Sequence, residues 1–555
     1  MILSGRVNFE RICQIAVLLL GAQCAYAGRD LPVGADGLAY MDVARAYLQH
    51  DWHTAVNGYW GPLYAWLLAI AMSIFRPGAS SEFALARALN FTIFAASFYM
   101  FTRYWRAVAD WSGRIDVENT SLPAAIPRIW MLFGYLLFTV DFIWSVDVVN
   151  PDLLVATVVF AVATFLFERN ARTGQAQQSA GSYAWLSVML AAGYYVKAIL
   201  LYFAVFVLGA IFIQHFRSRR LRQPIIASVV FVGLITPFVV ITSQTLGHLS
   251  AGDSGRLNYA WFVNGPETGT WEKDQSGGAP IPFYPGPTIF ESPRVFQVPS
   301  IEGITYAPWY DASRFDKRSH PVFNLRQQLE QFAGNLRYSR EQLLGAGAVL
   351  TVPLLILVLY EPRASLRRFA ASWFCTLPAL GVFGMYLLVH LVERFVIGFS
   401  LVLWGAAWAS VYLPREHQLL ARRAVLAASV VLAAYSMPGL LHYVVSRRTE
   451  SIRKDVVIAQ ALSGYRLAPG DLVASIGNGQ EAYWAHFARL SVVAEVWSID
   501  SAQFWSAPPD VQSAALRSMA AAGAKAAVWR ADSIQPCPAA WAALPENSGC
   551  IISLR

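Results

Sequence analysis

Asp36 stands in the run Gly34-Ala35-Asp36-Gly37-Leu38-Ala39-Tyr40, just beyond the first apolar segment of the chain. A carboxylate placed where a membrane helix meets water is expensive, and ionisable residues at membrane level usually mark function. The function expected of this one is catalysis. Three further polar sets also lie against apolar runs: Asn150-Pro151-Asp152, Lys197, and His390-Leu391-Val392-Glu393-Arg394. Each has a structural alternative. Asp36 and Asp152 stand where an N-cap is wanted, a role worth about 1 kcal/mol. Lys197 would snorkel to the interface from a helix end, and Arg394 would pair with Glu393 or Asp152. Asp42 and Arg45, three apart, would pair on a helix surface.

The elements that must position these residues follow from composition. Hydrophobic residues make up 56% of the 555 residues, charged residues only 14%, and mean hydropathy is +0.41. A soluble domain carries about 25% charged residues, so a polytopic α-helical membrane protein is expected. In a soluble protein the net charge of +8 would suggest nucleic acid. Here Lys and Arg cluster between apolar runs, where they set topology, and no nucleic-acid partner is expected.

Eleven apolar runs stand out, at 9–27, 82–102, 128–147, 153–168, 183–196, 198–215, 224–245, 342–360, 369–389, 395–413 and 424–444. Several are shorter than the roughly 20 residues of a perpendicular span. A twelfth stretch, 62–75, is ambiguous by hydropathy, and charge decides it. If the N-terminus is cytoplasmic and 62–75 does not cross, the arginine clusters at 103–114, 169–172, 217–222, 363–368 and 415–423 all fall inside, as the positive-inside rule asks. Residues 62–75 are therefore expected to form a re-entrant or interfacial helix, and about eleven crossings leave the C-terminus outside. Arg447, Arg448, Arg453 and Lys454 then fall outside as an exception. The same topology gathers Asp36, Asp152, Lys197, Arg394 and the long 246–340 loop on one external face. Ala25-Tyr26-Ala27 resembles a signal-peptidase site; an uncleaved first helix is favoured, and either choice leaves the later topology unchanged.

Residues 38–49 suit an amphipathic helix, with Leu38, Tyr40, Met41, Ala44 and Leu48 available for burial. The segment from Trp52 to Tyr64 is rich in aromatics and amides, among them Asn57, Tyr59 and Trp60. An interfacial aromatic belt is one reading of it; a sugar-binding surface is the other. The 246–340 loop is too long for a plain connector. Residues 264–300, with Pro280, Pro282, Pro285 and Pro287, should be irregular. Asn258, Tyr259, Trp261, Trp309, Tyr310 and Asp311 suit a lid over a saccharide, or packing against the C-terminal part.

The pattern Asp36-Gly37-x-x-Tyr40, a short helix, then Tyr59-Trp60-Gly61-Pro62-Leu63-Tyr64 resembles the GT-C glycosyltransferases. The resemblance is to the branch with protein O-mannosyltransferases and the lipid A aminoarabinose transferase. It continues in Pro151-Asp152-Leu153, Gly193-Tyr194-Tyr195-Val196-Lys197 and Glu393-Arg394-Phe395, covering roughly residues 9–444. Uncharacterised bacterial members are similar at Gly255-Arg256-Leu257-Asn258-Tyr259-Ala260-Trp261 and Trp309-Tyr310-Asp311. Many relatives have Asp-Glu at the first-loop position, whereas Gly37 follows Asp36 here. A role for a second acid therefore does not carry over, and Asp42 is a displaced substitute.

The resemblance implies transfer of a sugar, hexose or pentose, from a polyprenyl-phosphate donor to an acceptor hydroxyl on the periplasmic face of a bacterial inner membrane. The acceptor would be a glycan, a lipid or a protein. Asp36 would be the base, Lys197 and Arg394 would meet the donor phosphate, and displacement would invert the anomeric carbon. Tyr40, Asp42, Asn57, Tyr59, Trp60, Asp152, Asn258, Tyr259, Tyr310 and Asp311 would contact sugar or acceptor. No cofactor is expected and no Cys/His spacing suggests zinc; a divalent metal stays open. A transporter or flippase for a lipid-linked saccharide is the main alternative, and a polymerase or ligase acting on a lipid-linked glycan the other. Internal repeats, frequent in transporters, are not evident.

Residues 445–555 change character. A turn and strand are expected at 470–477, a helix at 480–489, a strand at 490–496, a helix at 510–522 capped by Gly523, and a strand at 526–529. This alternation predicts a small extracytoplasmic α/β domain beside a membrane domain of residues 1–444. Gly477-Asn478-Gly479 is too weak for a nucleotide site. Cys537 and Cys550 both fall outside, where a disulfide is expected in an oxidising periplasm.

Overall fold

Apolar composition becomes a bundle of long helices. The computed structural model describes residues 2–115, 121–171, 180–216, 221–264, 286–316, 319–345, 347–446, 452–531 and 537–554. Among these, six helical stretches are long and apolar enough to cross a membrane: Phe9–Gly28, Ala79–Arg114, Pro127–Val146, Ile199–Phe216, Arg222–Leu246 and Gln418–Leu440. Two bent pairs, Leu325–Leu344 with Ala348–Val358 at 77° and Pro362–Ala371 with Trp373–Leu388 at 82°, raise the number to eight if each is one span. Length and composition thus support six to eight crossings rather than establishing eleven. Ala180–Val196 and Glu393–Ala409 have 17 residues each, short of the roughly 20 that a perpendicular span needs. The Pro62–Phe75 helix has 14 residues. At 1.5 Å per residue it is about 21 Å long, less than the roughly 30 Å hydrocarbon core.

Two polar residues inside the Glu82–Arg114 helix fix the loops at one end of the bundle. Arg87 is 1% exposed. It pairs with Asp147 at 3.3 Å and donates to the Pro32 carbonyl at 2.8 Å. One turn on, Asn90 donates to the carbonyls of Val146 (3.1 Å) and Val148 (2.9 Å) and accepts from the Tyr64 hydroxyl at 2.7 Å. Buried charge and amide groups must be satisfied in this way. The effect is to set both the turn leading into Gly34–Leu48 and the turn leading into Asp152–Ala171.

The Gly34–Leu48 helix differs from the amphipathic expectation. Residues Gly37 to Ala46 are all buried, because the helix packs on Pro62–Phe75 on one side and on Ala307–Tyr310 and the C-terminal part on others. It begins at Gly34, whose φ of +72° favours glycine.

The C-terminal part carries a seven-stranded sheet in the order β1-β2-β4-β3-β5-β7-β6. The strands are β1 Thr288–Glu291, β2 Arg294–Gln297, β3 Leu472–Ile476, β4 Ser491–Val496, β5 Ala526–Arg530, β6 Ala542–Ala543 and β7 Gly549–Ser553. β3 is parallel to both β4 and β5, and the other pairs are antiparallel. The three parallel strands and the helices Tyr483–Ala488 and Pro509–Ala521 match the alternation expected from sequence. Residues 288–297 do not: instead of irregular chain they form a hairpin on the open edge of β4. Their β-formers Ile289, Phe290, Val295 and Phe296 gain a ladder partner there. Pro280, Pro282 and Pro285 lie outside the described residues. Cys537 and Cys550 are joined as a disulfide.

Helix and sheet regions are clamped by a buried charge cluster. Asp42 accepts from Arg45 at 3.2 Å and from the Thr305 backbone at 2.8 Å, with His486 Nδ1 3.0 Å away. Glu82 meets Arg45 at 2.9 Å and His486 Nε2 at 3.0 Å, and also pairs with Arg489. Burial pushes the Asp42 carboxyl up, but the His486 hydrogen bond and charge, then Arg45, hold it below the usual carboxylate value. A depressed folded value means the stabilisation is present above the unfolded value of about 3.9 and is lost as pH falls through the folded one. Removing one partner of a buried pair costs about 3–5 kcal/mol. Asp42→Asn should therefore lower the apparent melting temperature of the detergent-solubilised protein at pH 7. Its loss of stability on acidification below about pH 4 should be smaller than in the wild type. Equal melting and equal acid sensitivity would contradict the clamp.

Candidate active site

Four charged residues from four helix ends meet at one rim of the bundle. Asp36 lies in the first turn of Gly34–Leu48, Asp152 opens Asp152–Ala171, and Arg394 lies in the first turn of Glu393–Ala409. Lys197 occupies the break between Ala180–Val196 and Ile199–Phe216. Arg394 donates to Asp36 at 3.2 Å and lies 3.8 Å from Asp152. Lys197 donates to the other Asp152 oxygen at 3.0 Å. Both cations lie over the Phe395 ring, Lys197 Nζ at 3.8 Å and the Arg394 guanidinium at 5.0 Å from its centre, a favourable arrangement.

Asp36 does not cap its helix. The N-cap position is Val33, with no side-chain cap, and the Asp36 carboxylate faces outward to Arg394 and to the Trp309 indole N–H at 3.2 Å. Its side chain is 26% exposed and that of Lys197 27%, against 7% for Asp152. Asp36 and Lys197 are therefore reachable, whereas Asp152 holds the cations from beneath. The Asp152 backbone N–H is itself received by the Asn150 side chain at 3.0 Å.

An aromatic cover stands over the Asp36 side of the rim. Trp60 donates its indole N–H to the Trp309 carbonyl at 3.1 Å. Tyr59 lies 4.6 Å from Trp60, 5.5 Å from Trp261 and 5.9 Å from Trp309, between ring centres. Its hydroxyl donates to Asn258 at 3.2 Å. Tyr40 is buried, 5.1 Å from both Trp60 and Tyr64. Tyr259 is half-buried, and its hydroxyl has no hydrogen-bond partner among the described residues.

Other residues singled out from sequence are placed inside the scaffold. Asn57 accepts from the backbones of Tyr59 and Trp60, both at 2.8 Å, and donates to the Tyr310 carbonyl at 2.6 Å. Asp311 is buried and accepts from the Gly58 and Ser313 backbones, both at 3.1 Å, with Arg314 at 3.3 Å. Burial pushes the Asp311 carboxyl above its ordinary value despite these partners. Tyr310 is buried beside it, and Asp42 belongs to the clamp. These residues tie the first loop to the 246–340 segment. Sequence reading passed over Arg87 and Asn90, although a charged residue inside an apolar run was the available signal. It also passed over His486, whose partners are hundreds of residues away. Among the described residues no group of three or more His, Cys, Asp or Glu is placed to hold a metal ion.

Fold and rim together define a multi-pass helical membrane protein with a charged site at its helix ends and a small C-terminal sheet. The chain is similar to ArnT from Cupriavidus metallidurans bound to undecaprenyl phosphate, at 12% identity over 100% of this chain and 98% of that one, with TM-score 0.41. It is also similar to the oligosaccharyltransferase of Archaeoglobus fulgidus in the apo form, at 12% identity over 93% and 69%, TM-score 0.46. The AglB oligosaccharyltransferase of that organism with an inhibitory peptide and a dolichol-phosphate gives 11% over 94% and 70%, TM-score 0.45. At such identities and TM-scores the likeness carries no argument about activity. No family model and no curated protein matches the chain.

The rim depends on a close backbone approach at Gly61. A Cβ there would fall 2.3 Å from the Val196 carbonyl oxygen, directly before Lys197. At Gly58 it would fall 2.2 Å from the Ser313 hydroxyl, a side-chain atom. Backbone gives way less readily, and overpacking costs about 1–3 kcal/mol. Gly61→Ala should lower the apparent melting temperature more than Gly58→Ala; the reverse order, measured in one detergent, would refute the reading.

Proposed function

We propose that this chain is a glycosyltransferase. It moves a sugar from a polyprenyl-phosphate donor to an acceptor hydroxyl at the periplasmic face of a bacterial cytoplasmic membrane. The observation that carries the reading is the pairing of one reachable carboxylate, Asp36, with Arg394, beside Lys197 and Asp152 at the membrane rim. A lipid-borne phosphate reaches such a site through the bilayer, so no soluble nucleotide-binding fold is required.

In this mechanism the acceptor oxygen attacks the anomeric carbon as the bond from that carbon to the phosphate oxygen breaks. The phosphate leaves with the electron pair, and the acceptor proton passes to Asp36. Attack from the face opposite the phosphate inverts the anomeric carbon. A phosphate is already a competent leaving group, so the protein's task is to stabilise its growing charge. Lysine carries three N–H donors, of which the Asp152 contact needs one; the Arg394 fork matches phosphate geometry. Asp152 keeps both cations aimed at one place before the donor arrives. Tyr59, Trp60 and Trp309 offer aromatic faces to the sugar or acceptor, next to the base.

General-base catalysis contributes about 10²- to 10⁴-fold. In a purified assay with labelled polyprenyl-phosphate sugar, Asp36→Asn should lose transfer by roughly that factor while still binding donor. Hydrogen bonds to charged groups are worth about 1.5–3 kcal/mol, so Lys197→Ala and Arg394→Ala should each weaken donor binding about tenfold to a hundredfold. Full transfer by Asp36→Asn would overturn its role, and unchanged donor binding in both cation variants would overturn theirs. Movement of intact lipid-linked saccharide across vesicles, with no sugar transferred, would favour a flippase instead.

A further inference from the structure

The turn Gly477-Asn478-Gly479 takes no part in the rim, yet it borders a cavity of about 380 Å³ in the C-terminal sheet region. The cavity lies at the carboxyl ends of the parallel strands, against Ser475 and Ile476 of β3 and Trp529 and Arg530 of β5. From β3 the chain runs to β4 on one side, and from β5 it runs on to β6 and β7 on the other. Outgoing connections thus part between β3 and β5, and such a crevice is where open α/β sheets bind ligands. The volume is within the range of small-molecule sites.

The lining states the chemistry. Trp505 and Trp529 are half-buried, with ring centres 4.9 Å apart. Around them are the hydroxyls of Ser475, Ser498 and Ser501 and the amide of Asn478. The Asn478 oxygen is set by the backbone N–H of Ser498 at 3.1 Å and its hydroxyl at 3.0 Å. Charge argues against a phosphate ligand. The cation at the wall, Arg530, already donates to buried Asp455 at 2.9 Å, and Glu481 adds a second acid. The glycine turn leads into a three-residue turn and then a six-residue helix, not the long helix that a pyrophosphate site uses. Aromatic faces edged with hydroxyl and amide groups fit the apolar face and hydroxyl rim of a pyranose.

We propose that this crevice is a second carbohydrate site, separate from the rim, that holds one or two uncharged pyranose rings. It goes beyond the transferase reading and does not require it. Two hydrogen bonds tie the glycine turn beside the crevice to Tyr306, in the segment that carries Trp309. Gly479 donates its backbone N–H to Glu495 at 2.8 Å, and Glu495 accepts from the Tyr306 hydroxyl at 2.7 Å. Tyr306 precedes Trp309, which meets Asp36.

The test titrates the full-length protein in detergent with maltotriose, N,N′-diacetylchitobiose and mannobiose, read by tryptophan fluorescence and saturation-transfer NMR. At least one should bind saturably, and Trp505→Ala and Asn478→Ala should each weaken it about tenfold or more. Trp505 also packs on Trp541, so Asn478→Ala, with thermal unfolding unchanged, guards against misfolding. Asp36→Asn should bind the saccharide like the wild type, which separates this site from failure of the transfer mechanism. No saturable binding of any of the three, undiminished binding in both crevice variants, or binding of UMP with the saccharides inert would overturn the proposal.

Discussion

Two carboxylates and two cations at one rim of the helix bundle must neutralise one another, and much of the surrounding structure serves that requirement. Asp36, Asp152, Lys197 and Arg394 come from four separate helix ends. An uncompensated buried charge is costly, so each helix end is held in register by its partners' charges. Asp152, at 7% side-chain exposure, is the hub, facing Lys197 with one oxygen and Arg394 with the other. The formal charges of the set sum to zero, and its two cations are the ones the proposed mechanism turns toward the donor phosphate.

Charge pairing alone would leave the carboxylate of Asp36 on a mobile loop. The helix that carries it is instead buried along ten successive residues. On one side Arg87 and Asn90 fix the turns before it and before Asp152, and Tyr483 receives the Gly34 N–H at 3.1 Å. On the other, Asp42 and Arg45 lock the same helix to Thr305, Glu82 and His486. Asp36 and Asp42 are six positions apart on one helix. Asp36 faces the rim and Asp42 the clamp, so the C-terminal part contributes rigidity to a site it does not line.

The rim residues were legible because an ionisable side chain among apolar residues is conspicuous without any structure. Asp36, Asp152, Lys197 and Arg394 each adjoined a hydrophobic run, and the arginine clusters oriented those runs. The strands β3, β4 and β5 were legible for a different reason, the regular alternation of strand and helix with glycine punctuation. What escaped was set by partners distant in sequence. Nothing local distinguishes Asp42 from a surface acid paired with Arg45; His486, 444 residues away, does so by its contact at 3.0 Å. The hairpin at 288–297 was hidden among prolines because its stabilising edge, β4, comes about two hundred residues later.

The aromatic cover follows from the same economy. Asn57 spends its amide on the Tyr59 and Trp60 backbones and the Tyr310 carbonyl, and Asp311 spends its carboxylate on Gly58, Ser313 and Arg314. Polar groups engaged in this way hold in place the rings of Tyr59, Trp60 and Trp309, which the proposed mechanism offers to the sugar. With the first loop stapled to the 246–340 segment, Trp60 donates its indole N–H to the Trp309 carbonyl and Trp309 turns its own N–H to Asp36. The Asp36 carboxylate, the base of the proposed mechanism, is thereby joined to the aromatic cover. A carboxylate and an acceptor hydroxyl positioned by one rigid frame meet in reactive geometry at a smaller entropic cost than two independently mobile groups.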